Sequence, residues 1–409
     1  MAEKRKTPQI RINGFIKDWN AGLLNQYLET SLEKNCDEVF SREDVLSVSG
    51  DYGIVNQIEF QGRSFAGASV ANYGVVHTGD VVYTKSPLKE NPYGIIKTNT
   101  GKPGIVSTLY AVYHPQETTY SEFVQWYFEN NDRLNRYLNP LVNKGAKNDM
   151  KVSSDNALLG NVVFPEYDEQ KAISDALVRI KTIILQYEAK LQKLQIFRAS
   201  MLGKMFPKDD SNTPEIRFKG FADAWRRYQL NDIVQPYFDP VRTPDDGYFR
   251  LGIRSHGKGT FHNYVAPGME LETAQMHRVA ANNLIVNITF AWEHAVAITN
   301  EADYGKLVSH RFPQFTFNVG MSPRFFKYAI LDDKFRHHLW LSSPGGAGRN
   351  RVLKIDEMLK YKFWVPETVE EQERIADYLD QLTEMVNFAQ LEITKLQNLK
   401  KALLEKMFV

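Results

Sequence analysis

The chain has 409 residues, of which 43% are hydrophobic and 24% charged, and this length predicts two to three globular domains. A single cysteine, Cys36, excludes an intrachain disulfide framework. The N-terminus lacks the apolar segment of a signal peptide, and no apolar run approaches about 18 residues, so we expect a soluble, cytoplasmic protein. The net charge of +1 neither indicates nor excludes a nucleic-acid partner, because local clustering decides that point.

A short motif opens the chain after residues 1–7, which we expect to form a disordered tip. Residues 8–28 read PQIRINGFIKDWNAGLLNQYL, and residues 214–234 read PEIRFKGFADAWRRYQLNDIV. Both contain Pro-x-Ile-Arg-x-x-Gly-Phe, followed by a tryptophan and a leucine. The second copy follows the polar linker 207–213, so joining residue 409 to residue 8 would recreate the same order.

Two globular segments, roughly 8–163 and 214–364, are predicted to be mainly β with some helix, because β-branched runs alternate with Gly and Asn turns. The predicted strands are Val75–Val76, Asp80–Tyr83, Ile105–Val112, Leu284–Ile288 and Phe315–Val319, and the predicted helices are Glu122–Leu138 and Arg324–Leu341. Residues 51–69 and 247–264 differ strongly between otherwise parallel segments. Divergent interiors on one scaffold are typical of recognition domains with different targets, although two copies that drifted without function would look the same.

Each globular segment leads into a long amphipathic stretch, 164–206 and 365–408, and from Gln170 and Gln372 onward the two copies keep one offset of 372 − 170 = 202 residues. Apolar residues recur at alternating steps of four and three, which predicts a coiled-coil seam in helices of about 40 residues and about 60 Å. The seam positions are Ile173, Leu177, Ile180, Ile184, Tyr187, Leu191, Leu194, Arg198, Met201 and Met205, and then Ile375, Leu379, Leu382, Val386, Ala389, Ile393, Leu396, Lys400, Leu403 and Met407. Thr368 with Glu371 predicts a capping box, and Asp168 is a candidate cap of the first copy.

Two features favour an antiparallel helix pair. Arg198 and Lys400 occupy the same seam position, so a parallel, in-register pair would place the two cations side by side. A parallel pair would also require the intervening globular segment to bridge the whole helix length of about 60 Å. We therefore predict two antiparallel helices with one globular domain at each end.

Several motifs of this chain occur together in one family. They are Pro165-Glu166 with Glu169-Gln170 and Ile173, Pro366-Glu367 with Glu371-Gln372 and Ile375, Asn72-Tyr73 leading to Gly79-Asp80-Val81-Val82-Tyr83, the loop dipeptides Gly145-Ala146 and Gly346-Ala347, and the two Pro-x-Ile-Arg openings. Over essentially its whole length the chain resembles the DNA specificity (S) subunit of Type I restriction-modification systems.

The resemblance implies an α+β fold in which two globular α/β target recognition domains are separated by a long antiparallel two-helix coiled coil, with an internal pseudo-twofold repeat. The corresponding domains are 1–163, 164–207, 208–364 and 365–409. The resemblance further implies a non-catalytic reader of double-stranded DNA in bacterial defence. Its implied partners are two modification subunits that methylate adenine with S-adenosylmethionine, and restriction subunits that translocate and cleave with ATP. The chain itself would hold no cofactor and no metal.

Two recognition domains on a rigid rod also suit a split DNA site with a fixed gap. At about 3.4 Å per base pair, a rod of about 60 Å limits the separation to about 18 base pairs. Because the domains differ, the two half-sites are expected to differ, which makes the target asymmetric. Changing the rod length is expected to change the gap and leave the half-sites unchanged.

The candidate DNA contacts are residue types that reach phosphates or base edges. In the first domain they are Arg63, Ser64, Lys85, Ser86, Lys102, Lys144, Lys147, Asn148 and Lys151, with Arg133 and Arg136 just before the last group. In the second they are Arg250, Arg254, Ser255, His256, Lys258, Thr260, Arg349, Asn350 and Arg351. Each residue alone is equally compatible with a solvated surface position, and the clusters as groups favour DNA. The Asn283–Asn287 stretch has no Gly-Asp and no following Lys-Ser, so roles at Lys85 and Ser86 do not transfer to the second domain.

The charge balance differs between the segments: residues 214–364 hold 20 Lys and Arg against 15 Asp and Glu, whereas residues 8–163 hold 14 against 17. Contacts of the first domain with DNA must therefore be local.

The fragments of the sequence that resemble enzyme motifs are weak evidence for catalysis. Asn91-Pro92-Tyr93 lacks a second proline and a glycine-rich cofactor loop, Gly257–Thr260 lacks phosphate-loop spacing, and Glu293-His294 is more typical of a structural pair. The alternative to DNA reading is a coiled-coil adaptor, which would not require two divergent, loop-rich domains.

Overall fold

The computed structural model describes residues 7–67, 69–142, 152–208, 211–269, 275–345 and 351–409. By their internal contacts the residues form two compact units. The first unit comprises Met1–Glu188 with Leu391–Val409, and the second comprises Ala189–Gln390. None of the helices in the described ranges is long and apolar enough to cross a membrane.

The first unit contains short strands, three short helices and the start of a long one. Its strands are β1 (Asn20–Leu23), β2 (Leu28–Thr30), β3 (Leu46–Ser49), β4 (Gly53–Asn56), β5 (Gly74–Val76), β6 (Val81–Thr84), β7 (Ile95–Thr98), β8 (Gly104–Val106), β9 (Tyr110–Pro115) and β10 (Asn161–Phe164). Its helices are α1 (Gln57–Gln61), α2 (Ser121–Tyr127), α3 (Asn131–Leu138) and the first part of α4 (Tyr167–Lys204).

The second unit contains the end of α4 and a matching series of elements. Its strands are β11 (Arg226–Gln229), β12 (Val234–Tyr237), β13 (Pro240–Val241), β14 (Tyr248–Ile253), β15 (Thr260–Val265), β16 (Met276–Arg278), β17 (Asn283–Val286), β18 (Val296–Ile298), β19 (Leu307–Ser309), β20 (Gln314–Phe317) and β21 (Lys362–Val365). Its helices are α5 (Leu230–Ile233), α6 (Pro323–Ala329), α7 (Asp333–Leu341), α8 (Ile355–Met358) and the first part of α9 (Val369–Lys406), whose end belongs to the first unit.

The sheets repeat between the units. The order β2-β9-β6-β7 of the first unit is matched by β12-β20-β17-β18 in the second, and the antiparallel pair β1-β10 is matched by β11-β21. Hairpin β3-β4 in the first unit corresponds to hairpin β14-β15 in the second. Each hairpin runs parallel to an equivalent strand of its own unit. In the first unit this strand is β8, reached through the bridge Val45–Ile105, and in the second it is β19, reached through the pair Arg250–Leu307. The predicted internal repeat is confirmed at the level of strand order.

The predicted seam is confirmed along both long helices. Each of α4 and α9 has 38 residues, and every predicted seam position is buried or half-buried, while most of the intervening positions are exposed. In the first unit, Ile173 and Leu177 from the start of α4 share a core with Leu404 and Met407 from the end of α9. In the second unit the order is reversed, because Met205 from the end of α4 shares a core with Ile375, Leu379 and Leu382 from the start of α9. This reversal is what an antiparallel pair requires.

The seam cation of α9 has a partner in the first unit. The Lys400 ammonium lies 3.3 Å from the Glu129 carboxylate and 5.3 Å from the centroid of the Trp126 ring. Glu129 also accepts a hydrogen bond of 2.5 Å from the ammonium of Lys97, which is almost fully buried. A lysine is tolerated in this apolar seam because its charge is paired.

The opening motif clamps each globular segment to the start of the long helix in its own unit. Arg11 donates two hydrogen bonds of 2.8 Å to the Glu169 carboxylate, and Arg217 makes the same bidentate contact with Glu371 at 2.7 and 2.8 Å. The side chains of Gln170 and Gln372 donate to the carbonyls of Pro165 and Pro366, respectively, at the helix starts. The Pro-x-Ile-Arg openings and the Glu-Gln motifs at the helix starts therefore act as structural joints between domain and helix, whereas the loop dipeptides Gly145-Ala146 and Gly346-Ala347 lie outside the described residues.

The opening motif of each repeat contacts the end of a long helix in the same way. The backbone amide of Ile10 donates to the carbonyl of Lys406 at 3.0 Å, and the amide of Ile216 donates to the carbonyl of Lys204 at 2.9 Å. Residue 10 thus meets the end of α9 as residue 216 meets the end of α4. Both contacts lie within single units.

Four expectations from the sequence need correction. The predicted strand Ile105–Val112 is two strands, β8 and β9, which end and begin on either side of residues 107–109. The predicted helices Glu122–Leu138 and Arg324–Leu341 are each two helices, because Asn130 and Asp332 accept hydrogen bonds from Arg133 and Lys334 and so cap a new helix. The hydroxyl of Thr368 caps α9, but the Glu371 carboxylate binds Arg217 and does not complete a capping box. Asp168 lies inside the first turn of α4, which begins at Tyr167, and does not precede it.

Candidate nucleic-acid interface

Hairpin β14-β15 lies in the divergent segment 247–264, and β4 of the equivalent hairpin β3-β4 lies in the divergent segment 51–69. Hairpin β3-β4 has a short turn at Gly50–Tyr52, and hairpin β14-β15 has a longer turn at Arg254–Gly259. Exposed aromatic side chains accompany both hairpins: Tyr52 and Phe60 in the first unit, and Phe249 and Tyr264 in the second. The divergent part of each unit is therefore an exposed element on a common frame.

Hairpin β14-β15 carries most of the second-unit candidates, and near its turn one of its faces is buried. Leu251 and Ile253 are buried on this face, where Thr260 and His262 bind the carboxylate of Asp303 at 3.0 and 2.7 Å. The exposed-ring pair Phe249–Tyr264 lies at one end of the hairpin, with ring centroids 5.3 Å apart. Thr260 is thereby engaged within the protein, and its DNA role stays a prediction.

The turn of this hairpin is tied to the body of the unit. The backbone amides of His256 and Gly257 donate to the carbonyls of Glu293 and His294 at 2.8 and 3.0 Å, and the hydroxyl of Ser255 donates to the Glu293 carboxylate at 2.7 Å. His256 has φ +64°, and Gly257 and Gly259 also have positive φ, which permits the tight turn. The side chains of Arg254, His256 and Lys258 are exposed on this fixed turn.

Arg351 is held against two tryptophans. Its guanidinium lies 4.7 Å from the ring centroid of Trp340 and 5.9 Å from that of Trp292. The other members of its predicted cluster, Arg349 and Asn350, lie outside the described residues, as do Lys144, Lys147, Asn148 and Lys151 of the first unit. Stacking of this kind fixes the position of an arginine and leaves its edge available to a ligand.

The described first-unit candidates fall in separate places. Arg63 is exposed, with its guanidinium 4.6 Å from the centroid of the Phe65 ring, and the hydroxyl of Ser64 accepts from the amide of Ala66 at 3.3 Å. Lys102 is exposed. Among the described residues no hydrogen bond, ion pair or ring contact joins Arg63 or Ser64 to Lys85, Ser86 or Lys102.

Lys85 is the half-buried member of that set. Its ammonium donates to the carbonyl of Thr108 at 3.3 Å. Burial lowers the pKa of Lys85, nearby Lys34 lowers it further, and Asp155 partly offsets both effects. Ser86, next to it, is also half-buried, and its backbone amide donates to the hydroxyl of Thr84 at 3.3 Å.

Arg133, which the sequence places beside the candidate loop of the first unit, is a packing residue. Its guanidinium donates to the carbonyls of Tyr127 and Leu404 at 2.9 and 3.1 Å and stacks over the Phe408 ring at 5.0 Å. Burial lowers its pKa. This arginine joins α3 to the end of α9.

The side chains of the enzyme-like fragments bind other parts of the protein. Asn91 forms a tight turn with Leu88, and its side-chain amide donates to Asn131 at 3.0 Å. His294 is buried, burial lowers its pKa, and its ring lies 2.7 Å from the carbonyl of Ile330. In the described part of the chain, no group of three or more His, Cys, Asp or Glu side chains is placed to hold a metal ion.

The long helices also carry exposed apolar side chains off the seam. In the first unit these include Ile183 and Leu399, and in the second Phe197 and Met385, each between 39% and 46% exposed. Contiguous exposed apolar patches mark protein interaction sites, whereas single exposed apolar residues are normal on protein surfaces.

Comparisons of sequence find no relative: no family model matches the chain, and no curated protein is similar to it. Comparison of structures finds similar chains. The S subunit of a Type I restriction-modification system from M. genitalium superposes with a TM-score of 0.57 over 98% of this chain and 99% of that chain, at 10% sequence identity. The chain has the fold of a Type I S subunit.

Two further structures are similar over most of their length. The HsdS subunit from Thermoanaerobacter tengcongensis has a TM-score of 0.47 and 14% identity, covering 95% of this chain and 96% of that chain. A chain from a study of complex assembly and conformational transition of the type I R-M system has a TM-score of 0.45 and 13% identity, covering 95% and 97%. The M. genitalium structure alone carries the fold comparison, and it confirms the predicted S-subunit fold.

One exposed polar side chain escaped the sequence-based prediction. Asn263 on β15 lies directly opposite Arg250 on β14. The signal was present in the sequence, because the turn Ser255–Gly259 separates two strand-like runs, and a hairpin with that turn fixes which residues face one another. The prediction grouped residues by closeness in sequence and so stopped at Thr260.

Proposed function

We propose that this chain is the DNA specificity subunit of a Type I restriction-modification complex. It reads an asymmetric, two-part DNA target and directs adenine methylation and cleavage by partner subunits. The observation that carries the proposal is the pairing of one repeated scaffold with two different exposed hairpins, in a chain whose fold matches an S subunit from end to end.

The chain contributes recognition and no catalysis in this proposal. Modification subunits bring S-adenosylmethionine, and restriction subunits bring ATP. The different hairpins of the two units read different half-sites, because a base sequence is distinguished by the side chains that reach its edges. The long helices set the gap between the half-sites.

Methylome sequencing tests this function directly. A host carries the chain together with its candidate adenine methyltransferase, and a second host carries the methyltransferase alone. We expect adenine methylation at an asymmetric two-part motif only when the chain is present. Replacing residues 214–364 with the matching segment of another S subunit should change one half of that motif. If no motif depends on the chain, the adaptor alternative replaces this proposal.

Two modification subunits are proposed to cover the exposed apolar residues of α4 and α9, one in each unit. Substituting Ile183→Asp places a charge on this surface in the first unit, and Phe197→Asp does the same in the second. Each change is expected to remove one modification subunit from the co-purified complex, as counted by native mass spectrometry. The matched control is Gln192→Asp, at an exposed polar position of α4. Retention of two subunits by both variants would refute this docking surface.

A further inference from the structure

We propose that Arg250, Arg254 and Asn263 read base edges in the major groove, from the face of hairpin β14-β15 opposite its buried side. This inference rests on the proposed function, and it specifies which side chains of the second unit discriminate between bases. It also separates these three from the neighbouring polar residues that hold the hairpin in place.

The alternation of the strands assigns the residues to two faces. Leu251 and Ile253 are buried, and on the same face their partners His262 and Thr260 bind the buried Asp303. Residues one step along the chain therefore point the other way. They are Arg250 opposite Asn263, Gly252 opposite Phe261, and Arg254 at the start of the turn. At the far end this second face is covered, since Tyr248 and Val265 are buried with Met276 and Leu307.

Contacts near the turn hold Arg254 in place and leave most of its N–H donors unused. A Cβ at Gly252 would lie 2.3 Å from the ring of Phe261, so only glycine lets this ring lie flat across the hairpin. The guanidinium of Arg254 stacks 5.2 Å from the centroid of that ring and donates through Nη1 to the carbonyl of Thr260. Among the described residues it makes no ion pair. An arginine has five N–H donors in a planar fork, so several remain for a ligand.

The chemistry of the three side chains matches base edges. An arginine fork pairs with the O6 and N7 acceptors of guanine, and an asparagine amide pairs with N6 and N7 of adenine. β14 and β15 form one edge of the five-stranded sheet β13-β16-β19-β14-β15, and β14 pairs with β19 only at Arg250. Beyond Arg250 the hairpin is a two-stranded ribbon, which fits a major groove about 12 Å wide. Arg250 and Arg254 are four residues apart, which at about 3.3 Å per residue is about 13 Å, or about four base-pair steps. This is a plausible span for one half of a split site.

The charge of the hairpin favours DNA as the ligand. Residues 247–265 contain Arg250, Arg254 and Lys258 and no Asp or Glu. The nearby acidic side chains are engaged elsewhere: Asp303 binds Thr260 and His262 on the buried side, and Glu293 binds Ser255 at the turn. The outward arginines therefore have no acidic partner on the hairpin itself.

Methylome sequencing of single variants is the first test. Arg254→Lys keeps the charge and removes the fork, and Asn263→Ala removes the amide. Each is expected to relax one position of a single half-site, with preference for the cognate base falling about tenfold or more, while the other half-site stays as in wild type. The control is Lys360→Gln, which removes an exposed cation elsewhere in the same unit and should leave the motif intact.

A binding measurement with modified DNA is the second test. A duplex that carries 7-deazaguanine lacks the N7 acceptor in the major groove. The full complex is expected to bind this duplex about tenfold more weakly than the natural one, and Arg254→Lys is expected to lose that difference. Co-purification with the modification subunit verifies that each variant is folded.

The outcomes separate this inference from the proposed function. If the wild type supports a two-part motif and all three single variants, Arg250→Lys included, keep it unchanged, the hairpin does not read bases and the specificity-subunit function stands. Uniformly weaker methylation with an unchanged motif would assign the residues to phosphates and overturn base reading. If the wild type supports no chain-dependent motif, the proposed function itself fails.

Discussion

Arg217 and Glu371 form a bidentate ion pair that joins the opening motif of the second repeat to the first turn of α9. Both side chains are largely buried, and the indole of Trp225 donates to the same carboxylate at 3.3 Å. Arg11 and Glu169 form the same pair in the first unit. A contact that recurs at equivalent positions of both repeats identifies this joint as part of the scaffold.

Removing one partner of this pair is expected to destabilise the second unit strongly. Arg217→Ala leaves Glu371 buried without its cation, which typically costs about 3–5 kcal/mol. Urea unfolding followed by far-ultraviolet circular dichroism measures the change. The control is Arg226→Ala, which breaks the exposed pair with Glu367 in the same unit and should cost at most about 1 kcal/mol. Equal losses in the two variants would contradict a special role for the buried joint.

Asp380 should make the second unit less stable in acid. Burial alone would raise the pKa of Asp380, but hydrogen bonds from Lys327, Tyr328 and Arg324 outweigh it and lower the pKa below its ordinary value of 3.8. A lowered carboxyl pKa contributes stability that is present above the unfolded value and lost as the pH falls through the folded value. Asp380→Asn is therefore expected to lose about 1–3 kcal/mol at pH 7. Denaturation measured across a pH series should show the difference in unfolding free energy between wild type and Asp380→Asn disappearing below pH 3.8. A difference that persists there would refute the assignment.

Glu122, on α2 of the first unit, should behave in the opposite way. Burial raises its pKa above the ordinary 4.5, and the neighbouring Asp175 raises it further. A raised carboxyl pKa means that the protonated form stabilises the fold, so its contribution is present below 4.5 and lost as the pH rises. Glu122→Gln is expected to raise the free energy of unfolding at neutral pH by roughly 0.5 kcal/mol or less. The measurement is denaturation at neutral pH and again below pH 4.5, where no gain should remain.

Substitutions at two glycines of the first unit distinguish the cost of backbone strain from the cost of a steric clash. Gly94 and Gly79 have φ of +93° and +95°, but a Cβ at Gly94 would lie 1.8 Å from the carbonyl oxygen of Thr84, whereas nothing lies within 4 Å at Gly79. Gly79→Ala should cost only the conformational strain, about 1–2 kcal/mol. Gly94→Ala should cost clearly more, because backbone must move. Urea midpoints of the two variants decide this, and equal midpoints would contradict it.

The long helices were predictable because a seam repeats the same local signal many times. Positions such as Leu177 and Leu379 follow the heptad spacing and lie in the core as expected. The breaks at Asn130 and Asp332 were missed because apolar residues continue on both sides of a new cap. Spacing shows which face of a helix is buried, but a single capping residue decides where the helix ends.

The candidate interface was less predictable, since it depends on contacts between distant residues. Ser255 and Thr260 looked like base-contacting residues next to Arg254, yet their hydroxyls bind Glu293 and Asp303 about 40 residues further along the chain. Asn263 becomes notable only when the hairpin register places it opposite Arg250. Residue type and local clustering cannot show which side of a strand a residue faces.

The end of α9 belongs to the core of the first unit, and this sets an order of events during synthesis. Residues 189–390 are continuous, so the second unit has all its residues once Gln390 is made. The first unit must wait for Leu404, Met407 and Phe408, which complete its core, and for the Leu404 carbonyl that Arg133 contacts. The first unit, most of which is synthesised before the second, therefore completes its core only after the second unit has all its residues.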